Sequence, residues 1–146
     1  MFKKKKTWVL IADGARARIF VKRHNKLDNA MGQDFVGENL KESKLGTSKP
    51  GRSYESSNPT RHAYQPHTDW HQYQKQLFAK ELCDIIEKAN ENADFDELII
   101  ISPPKTLGDI RGYLGKQIHS KITAEIPKDI TKLNEHELVS YLDREL

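Results

Sequence analysis

Residues 7–22, TWVLIADGARARIFVK, decide the fold class because they encode two strands and the turn between them. Thr7–Ala12 and Ala17–Lys22 are rich in β-branched and aromatic residues, and Asp13-Gly14 between them is a strong hairpin signal. A weaker third strand is expected over Leu27–Val36, interrupted by Asn29 and Gly32. The second strand alternates apolar with charged residues, which predicts one face in contact with water: Ile19 and Val21 against Arg18 and Lys22.

The second half of the chain alternates helices with short apolar strands. Asp69 begins a capping box, and an amphipathic helix is expected over 70–92. Leu98–Ile101 is a continuous apolar run, typical of a strand buried on both faces. Ile122–Ile126 is a further strand, and the box Asn134–Glu137 opens a last helix. The long helix carries a stripe that we expect in the core: Trp70, Tyr73, Leu77, Leu82, Ile85, Ile86 and Ala89.

A further helix is expected between these strands, with a cap-like Thr106–Asp109 and an inward face of Leu107, Ile110, Leu114 and Ile118. Its glycines, at positions 108, 112 and 115, weaken the helix and permit a close approach of backbone to a neighbour or ligand. Strands come first, followed by helix, strand, helix, strand and helix. This order predicts one α/β domain over 1–146, with a mixed β-sheet and helices packed on it.

The charge is distributed unevenly along the 146 residues, although the net formal charge is only +3. Residues 1–67 carry +8 and residues 68–146 carry −5, which is typical of a protein with one side facing a polyanion. No apolar run approaches the roughly 20 residues that span a bilayer. Lys3–Lys6 and Trp8–Ala12 together are too short for a signal peptide. We therefore expect a cytoplasmic protein with no membrane partner.

The segment 41–67, KESKLGTSKPGRSYESSNPTRHAYQPH, differs in kind from the rest of the chain. Gly, Pro, Ser and Thr dominate it, and it shows no helical or strand period. Loops of this length are uncommon in compact domains, so it is either a flexible insertion or a functional loop. Its cations and rings favour contact with phosphates and unpaired bases. The candidate nucleic-acid-binding residues are Lys49, Arg52, Tyr54, Arg61 and His62, with Arg111 joining them if the fold brings it near.

Catalytic and metal-binding patterns are weak. The pair His67 and His71 has helical spacing, but a cap at Asp69 would leave His67 outside the helix. Cys83 lies beside core positions, where a small buried residue is the default. The enzymatic alternative is a metal-dependent nuclease or phosphoesterase that uses Asp13 with Asp109 or Asp129, although turn and cap chemistry also explains each carboxylate, Asp96 included. No catalytic set, metal or cofactor emerges, which favours a binding domain over an enzyme.

Six stretches in order along the chain resemble the bacterial host attachment protein family, whose members are described as required for attachment to host cells. They are Trp8–Ala17 (WVLIADGARA), Gly51–Ser53 (GRS), Phe78–Leu82 (FAKEL), Leu98–Pro104 (LIIISPP), Leu107–Arg111 (LGDIR) and Lys128–Thr131 (KDIT). That family is similar to the middle domain of archaeal and eukaryotic peptide-chain release factors and of Pelota. The resemblance implies a ribonuclease H-like α/β fold and a cytosolic, translation-associated role.

The resemblance does not carry a catalytic role over to this chain. Release-factor middle domains present a Gly-Gly-Gln loop, and this sequence contains no such tripeptide. The nearest stretch by position is the basic Lys49–Ser53. We therefore expect a domain that binds the ribosome or structured RNA and is linked to host attachment indirectly. The third alternative is an interaction or attachment factor with a protein partner.

Overall fold

The computed structural model describes residues 5–24, 26–37 and 67–146, with side chains in the last range from residue 70 onward. The predicted basic segment 41–67 therefore lies almost entirely outside the described residues. Within the described ranges the chain forms these elements in order: β1 (Thr7–Ala12), β2 (Arg16–Arg23), β3 (Lys26–Asn29), β4 (Phe35–Val36), α1 (His67–Glu91), β5 (Glu97–Ile101), α2 (Pro104–Tyr113), α3 (Lys116–His119), β6 (Ile122–Ile126) and α4 (Glu135–Glu145).

The strands form one mixed sheet in the order β3-β2-β1-β5-β6, with β4 paired to the start of β2. The predicted hairpin is confirmed, because β1 and β2 pair antiparallel from Thr7–Lys22 to Ala12–Ala17. β5 lies parallel to both β1 and β6. The weak third strand is split into β3 and β4, on either side of Gly32, whose φ of 81° suits glycine. The α/β fold with a mixed sheet is confirmed.

Both faces of the sheet are covered, so the prediction of a water-facing side on β2 is wrong. Phe20, which shares the face of Arg18, is only 2% exposed and packs with Leu138 and Leu142 of α4. The other face packs against α1 and α2, through Leu82 and Ile110 among others. Leu98–Ile101 in β5 contributes alternately to both layers and is buried throughout, as its apolar run predicts.

Helix starts differ from the sequence signals in two places. α1 begins at His67, so Asp69 lies in the first turn and is not the cap residue. α2 begins at Pro104, a proline in the first turn after Pro103, and Thr106 is inside the helix and buried. Proline suits this position because its fixed φ is helical and its missing N–H would have no helical acceptor. The proline therefore starts α2 two residues before the cap-like threonine.

The predicted inward face of this region is confirmed, since Leu107, Ile110, Leu114 and Ile118 are all buried. The helix is nevertheless broken at Leu114–Gly115, and Ile118 belongs to the separate short helix α3. The expected close approach of backbone is absent at Gly108 and Gly112, where an added Cβ would meet nothing within 4 Å. Gly115 does have a near neighbour, because its N–H donates to Glu87 Oε2 at 2.7 Å.

The capping box at α4 is confirmed in both directions. Asn134 Oδ1 accepts from the Glu137 N–H at 2.8 Å, and Glu137 Oε1 accepts from the Asn134 N–H at 2.9 Å. These bonds satisfy two backbone donors at the helix start. Among the helices in the described part of the chain, none combines the length and the apolar character that crossing a membrane requires.

Candidate nucleic-acid interface

The parallel strands β1, β5 and β6 end at one edge of the sheet, which we call the carboxyl edge. Their last residues are Ala12, Ile101 and Ile126, and Ile101 pairs with both β1 and β6 near those ends. Ligands of open α/β sheets bind outside the carboxyl ends of the strands. Functional side chains are therefore best sought here.

The described chain reaches the carboxyl edge before the segment 38–66, and α1, which follows that segment, passes over the same edge. On one side the Gly37 N–H donates to the Ala15 carbonyl in the β1–β2 turn, at 2.7 Å. On the other side Lys75 of α1 covers Gly14, because a Cβ built on Gly14 would lie 2.7 Å from Lys75 Cγ. α1 begins eight residues earlier, roughly 12 Å along its axis. The described chain therefore leaves this edge at Gly37 and crosses it again at Lys75.

Four exposed cations of the described residues also lie at the carboxyl edge, and we call them the edge cations. Arg16 begins β2 directly after the turn, and Lys75 lies over that turn. Lys105 is in the first turn of α2, and Lys128 follows the end of β6. All four are exposed. No carboxylate in the described ranges forms an ion pair with any of them, while Asp13 and Asp129 lie at the same edge.

Two described cations at the opposite edge of the sheet are paired with carboxylates. Arg23 pairs with Asp28 at 2.7 Å, and Lys5 pairs with Glu97 at 3.4 Å. Lys5 and Lys6 lie before β1, at the opposite edge of the sheet, where the Lys6 N–H donates to Asp96 Oδ2. The length of β1 separates them from the edge cations. The structure therefore does not join the described residues of the Lys3–Lys6 run to the segment 41–67.

Arg111 is the one candidate binding residue that the described ranges include. It lies in the last turn of α2, half-exposed, with Nε 3.2 Å from Glu125 Oε1 of β6. Its backbone carbonyl contacts His119 Nε2 at 2.9 Å. Surface ion pairs of this kind contribute about 0–1 kcal/mol, so Glu125 holds Arg111 only weakly. The other candidates, Lys49, Arg52, Tyr54, Arg61 and His62, lie outside the described residues.

The first turns of α1 carry an apolar stripe that faces away from the core. Trp70, Tyr73 and Leu77 are 55%, 52% and 43% exposed, so the prediction that they belong to the core is wrong. The buried face of α1 begins only at Phe78, because the earlier turns extend past the sheet. Lys80 is exposed and follows Leu77 by three residues and Tyr73 by seven, on the same side of the helix. We call these four residues the outer face of α1.

Two of the predicted carboxylates meet at one hydroxyl. Thr131 Oγ1 lies 3.1 Å from Asp13 Oδ2 and 2.9 Å from Asp129 Oδ1. The other oxygen of Asp13 accepts from the N–H groups of Ala15 and Arg16, each at 2.7 Å. Asp13 therefore organises the β1–β2 turn, as its position before Gly14 predicts, and ties that turn to the segment after β6.

The described residues contain no group of three or more His, Cys, Asp or Glu side chains that could hold a metal ion. Asp96 lies at the opposite edge and accepts from the Lys6 N–H, and Asp109 lies in the middle of α2. His67 does fall inside α1, so the sequence reason for excluding the His67–His71 pair is wrong, although the His67 side chain is outside the described set. The nuclease alternative stays a hypothesis, with Asp13 and Asp129 engaged by Thr131.

Cys83 is a buried core residue, as predicted, and its Sγ donates to the Ile110 carbonyl at 3.4 Å. Burial raises its pKa to about 12, and the nearby carboxylates of Asp84 and Glu87 add to the rise. A thiol with this pKa stays protonated near neutral pH and is a poor nucleophile. Cys83 therefore does not supply a nucleophile.

Sequence reasoning missed the residues that pack the carboxyl edge together. Arg18, expected in water, donates from Nη1 to the Leu133 carbonyl at 2.6 Å. Thr131 is 6% exposed, and Ser102 is fully buried with no partner for its hydroxyl among the described residues. Arg18 and Thr131 act across more than 110 positions of sequence, where no local pattern exists. Only Ser102, directly after an apolar strand, has a signal, and that signal also fits simple strand termination.

Comparison with known proteins agrees with this geometry at the level of fold. An archaeal translation termination factor, aRF1, matches with a TM-score of 0.50 and 11% identity, over 96% of this chain and 38% of that chain. An uncharacterised protein of Rickettsia prowazekii (strain Madrid E) is 30% identical over 83 residues, which is 56% of this chain and 55% of that protein. The chain thus spans about half the length of this relative.

The family match covers much more of the chain than either of these. Residues 8–142, from β1 to the last helix, match the family described as "Protein required for attachment to host cells". That range includes the hairpin, the carboxyl edge, the segment 41–67 and Thr131. The chain therefore belongs to the family of proteins required for attachment to host cells.

Proposed function

We propose that this protein is a non-enzymatic, cytoplasmic RNA-binding domain that associates with the ribosome or with structured RNA. One observation carries the proposal: four exposed cations that form no ion pair with a described residue lie at the edge where, at Gly37, the described chain leads into the segment with Lys49, Arg52 and Arg61. Phosphate contacts dominate the affinity of nucleic-acid binding, and clustered Lys and Arg side chains supply them. Cations that are paired with carboxylates, such as Arg23, contribute less to the positive potential that attracts phosphates.

The division of charge within the molecule supports a single RNA-facing edge. Residues 68–146 carry a net −5, yet Lys75, Lys105 and Lys128 from that acidic half lie at the carboxyl edge. The segment 41–67 adds +3 by sequence. Clustered cations on a protein whose other half is acidic orient it as it approaches a polyanion.

The fold likeness supports a ribosomal partner specifically. The archaeal protein that matches is a translation termination factor, and such a factor works on the ribosome. This chain lacks the Gly-Gly-Gln tripeptide, so hydrolysis of peptidyl-tRNA is not part of the proposal. An effect on translation alters which proteins a bacterium makes. Through that change the protein affects attachment to host cells indirectly.

Co-sedimentation with ribosomes, combined with filter binding to a structured RNA, tests the proposal. The segment variant Lys49→Ala, Arg52→Ala, Arg61→Ala and the edge variant Arg16→Ala, Lys75→Ala are compared with wild type. The matched control, Lys5→Ala with Arg23→Ala, removes two cations from the opposite edge. We expect the segment and edge variants to weaken binding at least tenfold, and the control to stay within about twofold.

Two results would overturn the proposal. The first is undetectable binding of wild type to both ribosomes and RNA at low salt. The second is an equal loss in the opposite-edge control, because a loss that depends only on net charge would mean that the carboxyl edge is not the binding surface.

A further inference from the structure

We infer that the outer face of α1 is a stacking platform for unpaired bases, so the RNA partner is bound where it is single-stranded. This inference rests on the proposed RNA-binding function and names the class of RNA. The outer face, defined above, consists of Trp70, Tyr73, Leu77 and Lys80.

The exposure of this face sets it apart from the rest of α1. Trp70 and Tyr73 are each more than half exposed, while Phe78, Leu82 and Ile86 of the same helix are at most 3% exposed. Three large apolar side chains at spacing i, i+3 and i+7 cover roughly 10 Å of one helix face. A patch of this kind on a surface marks a contact site.

The geometry of the two rings suits bases. Their centroids lie 6.1 Å apart and their planes are tilted by 35°. The rings therefore do not share one stacking plane, and each is more than half exposed. Every base has a flat π-face, so stacking on aromatic side chains tolerates any sequence but requires that the base be unpaired.

The charges along α1 confine a polyanion to these first turns. Lys75 and Lys80 follow the aromatic pair along the helix, and the segment with Arg61 precedes it in the sequence. The last three turns carry four carboxylates against one lysine, and they repel phosphates: Glu81, Asp84, Glu87 and Glu91 against Lys88. A single strand of RNA can thus run from the carboxyl edge over Tyr73 and Trp70, away from these carboxylates.

The size of the face argues against a protein occupant. A stable protein interface buries about 800 Å² on each partner, and two rings with one leucine supply only a fraction of that area. The same two rings suffice for two bases, since removing a stacked ring lowers the affinity for a single strand about 5- to 100-fold. The observations therefore favour unpaired RNA over a second copy of the chain or another protein.

Fluorescence anisotropy with two labelled RNAs tests the inference in the full-length protein. One probe is a 12-nucleotide oligouridine, and the other is a blunt 12-base-pair RNA duplex. We expect Trp70→Ala and Tyr73→Ala each to weaken oligouridine binding about 5- to 100-fold and to leave duplex binding within twofold. Trp70→Phe keeps a ring and should retain most of the affinity. Tyr113→Ala, the matched control, removes an exposed ring at the end of α2, outside the outer face, and should change affinity less than twofold.

A second readout separates stacking from a general effect on structure. The chain has two tryptophans, and Trp8 is 4% exposed, so quenching by added oligouridine reports Trp70. We expect this quenching in wild type and its loss in Trp70→Phe. Equal losses for the duplex, unchanged oligouridine binding in the ring variants, or a dimer that Trp70→Ala dissociates would overturn the inference. If neither RNA binds wild type at low salt, the proposed function itself fails.

Discussion

The hydroxyl of Thr131 lies 3.1 Å from Oδ2 of Asp13, a residue 118 positions earlier in the chain. This contact joins the turn that ends β1 to the segment that follows β6, across the carboxyl edge. Arg18 adds a second link through its hydrogen bond to the Leu133 carbonyl. These two hydrogen bonds hold the β1–β2 hairpin, which carries Arg16, against the segment after β6, which begins near Lys128.

Replacing Thr131 by valine should destabilise the protein by about 1–2 kcal/mol. Valine keeps the shape of threonine but removes the hydroxyl. A hydrogen bond to a charged group contributes about 1.5–3 kcal/mol to stability. We expect the lower part of that range because Asp13 is partly exposed. Urea unfolding measures the loss. Thr123→Val, at an exposed position of β6, should stay within about 0.5 kcal/mol. Equal effects of the two substitutions would show that the link contributes nothing.

Gly108→Ala should stabilise the protein by about 0.5–1 kcal/mol. Gly108 lies inside α2, where glycine is less favourable than alanine by about that amount, and an added Cβ would meet nothing within 4 Å. Thermal unfolding checks the direction. A lower melting temperature would mean that this glycine is needed for a close contact in the folded protein.

Ala93→Gly should also stabilise the protein, by about 1 kcal/mol. Ala93 follows the end of α1 with a φ of 58°, in the left-handed region. The backbone there closes the helix, because the Asp94 N–H donates to the Ala89 carbonyl at 2.9 Å. Glycine is the usual residue at such a helix end because it has no Cβ to strain. A loss of stability in urea unfolding would contradict this reading of the helix end.

Cys83 should make the stability depend on pH above 9. Burial raises its pKa from 9.0 to about 12 in the folded protein. The free energy of unfolding that this thiol contributes is therefore fully present below pH 9. It is lost as the pH rises towards 12, because the thiol of the unfolded chain ionises first. The difference in unfolding free energy between wild type and Cys83→Ala should shift against wild type over this range.

Urea unfolding of both proteins at pH 7, 9 and 10.5 measures that shift, and thiol labelling provides an independent check. At pH 8 the native thiol should resist an aromatic disulfide reagent and react fully in denaturant. A difference between wild type and Cys83→Ala that stays constant across the three pH values, or rapid labelling of native protein, would show that the thiol is not buried as described.

Local signals explain what the sequence predicts well. The Asp13-Gly14 turn, the apolar run Leu98–Ile101 and the capping box at Asn134 each depend on neighbours within a few residues. Each of them is found in the structure. Turn geometry, strand burial and the capping of free N–H groups each depend on residues close together in the sequence, so each can be predicted from a short stretch of it.

The outer face of α1 shows why the rest could not be predicted. Helical spacing places Trp70 and Tyr73 on one face, but it does not reveal how far the sheet extends beneath the helix. Because the core contacts of α1 begin at Phe78, the earlier rings are exposed. The same limit applies to Arg18, whose partner Leu133 is 115 positions away. The exposure of these rings and the partner of Arg18 both depend on how distant parts of the chain pack together, which local sequence patterns do not reveal.

The salt dependence of RNA affinity tests the central claim most directly. Binding of wild type, the segment variant at Lys49, Arg52 and Arg61, and the opposite-edge control at Lys5 and Arg23 is measured between 50 and 200 mM salt, in the usual range for such titrations. Each phosphate contact on a single strand contributes about 0.7 to the slope of log affinity against log salt. We predict that the segment variant flattens the slope by about 2 and that the control leaves it unchanged. Identical slopes for all three proteins would contradict the account.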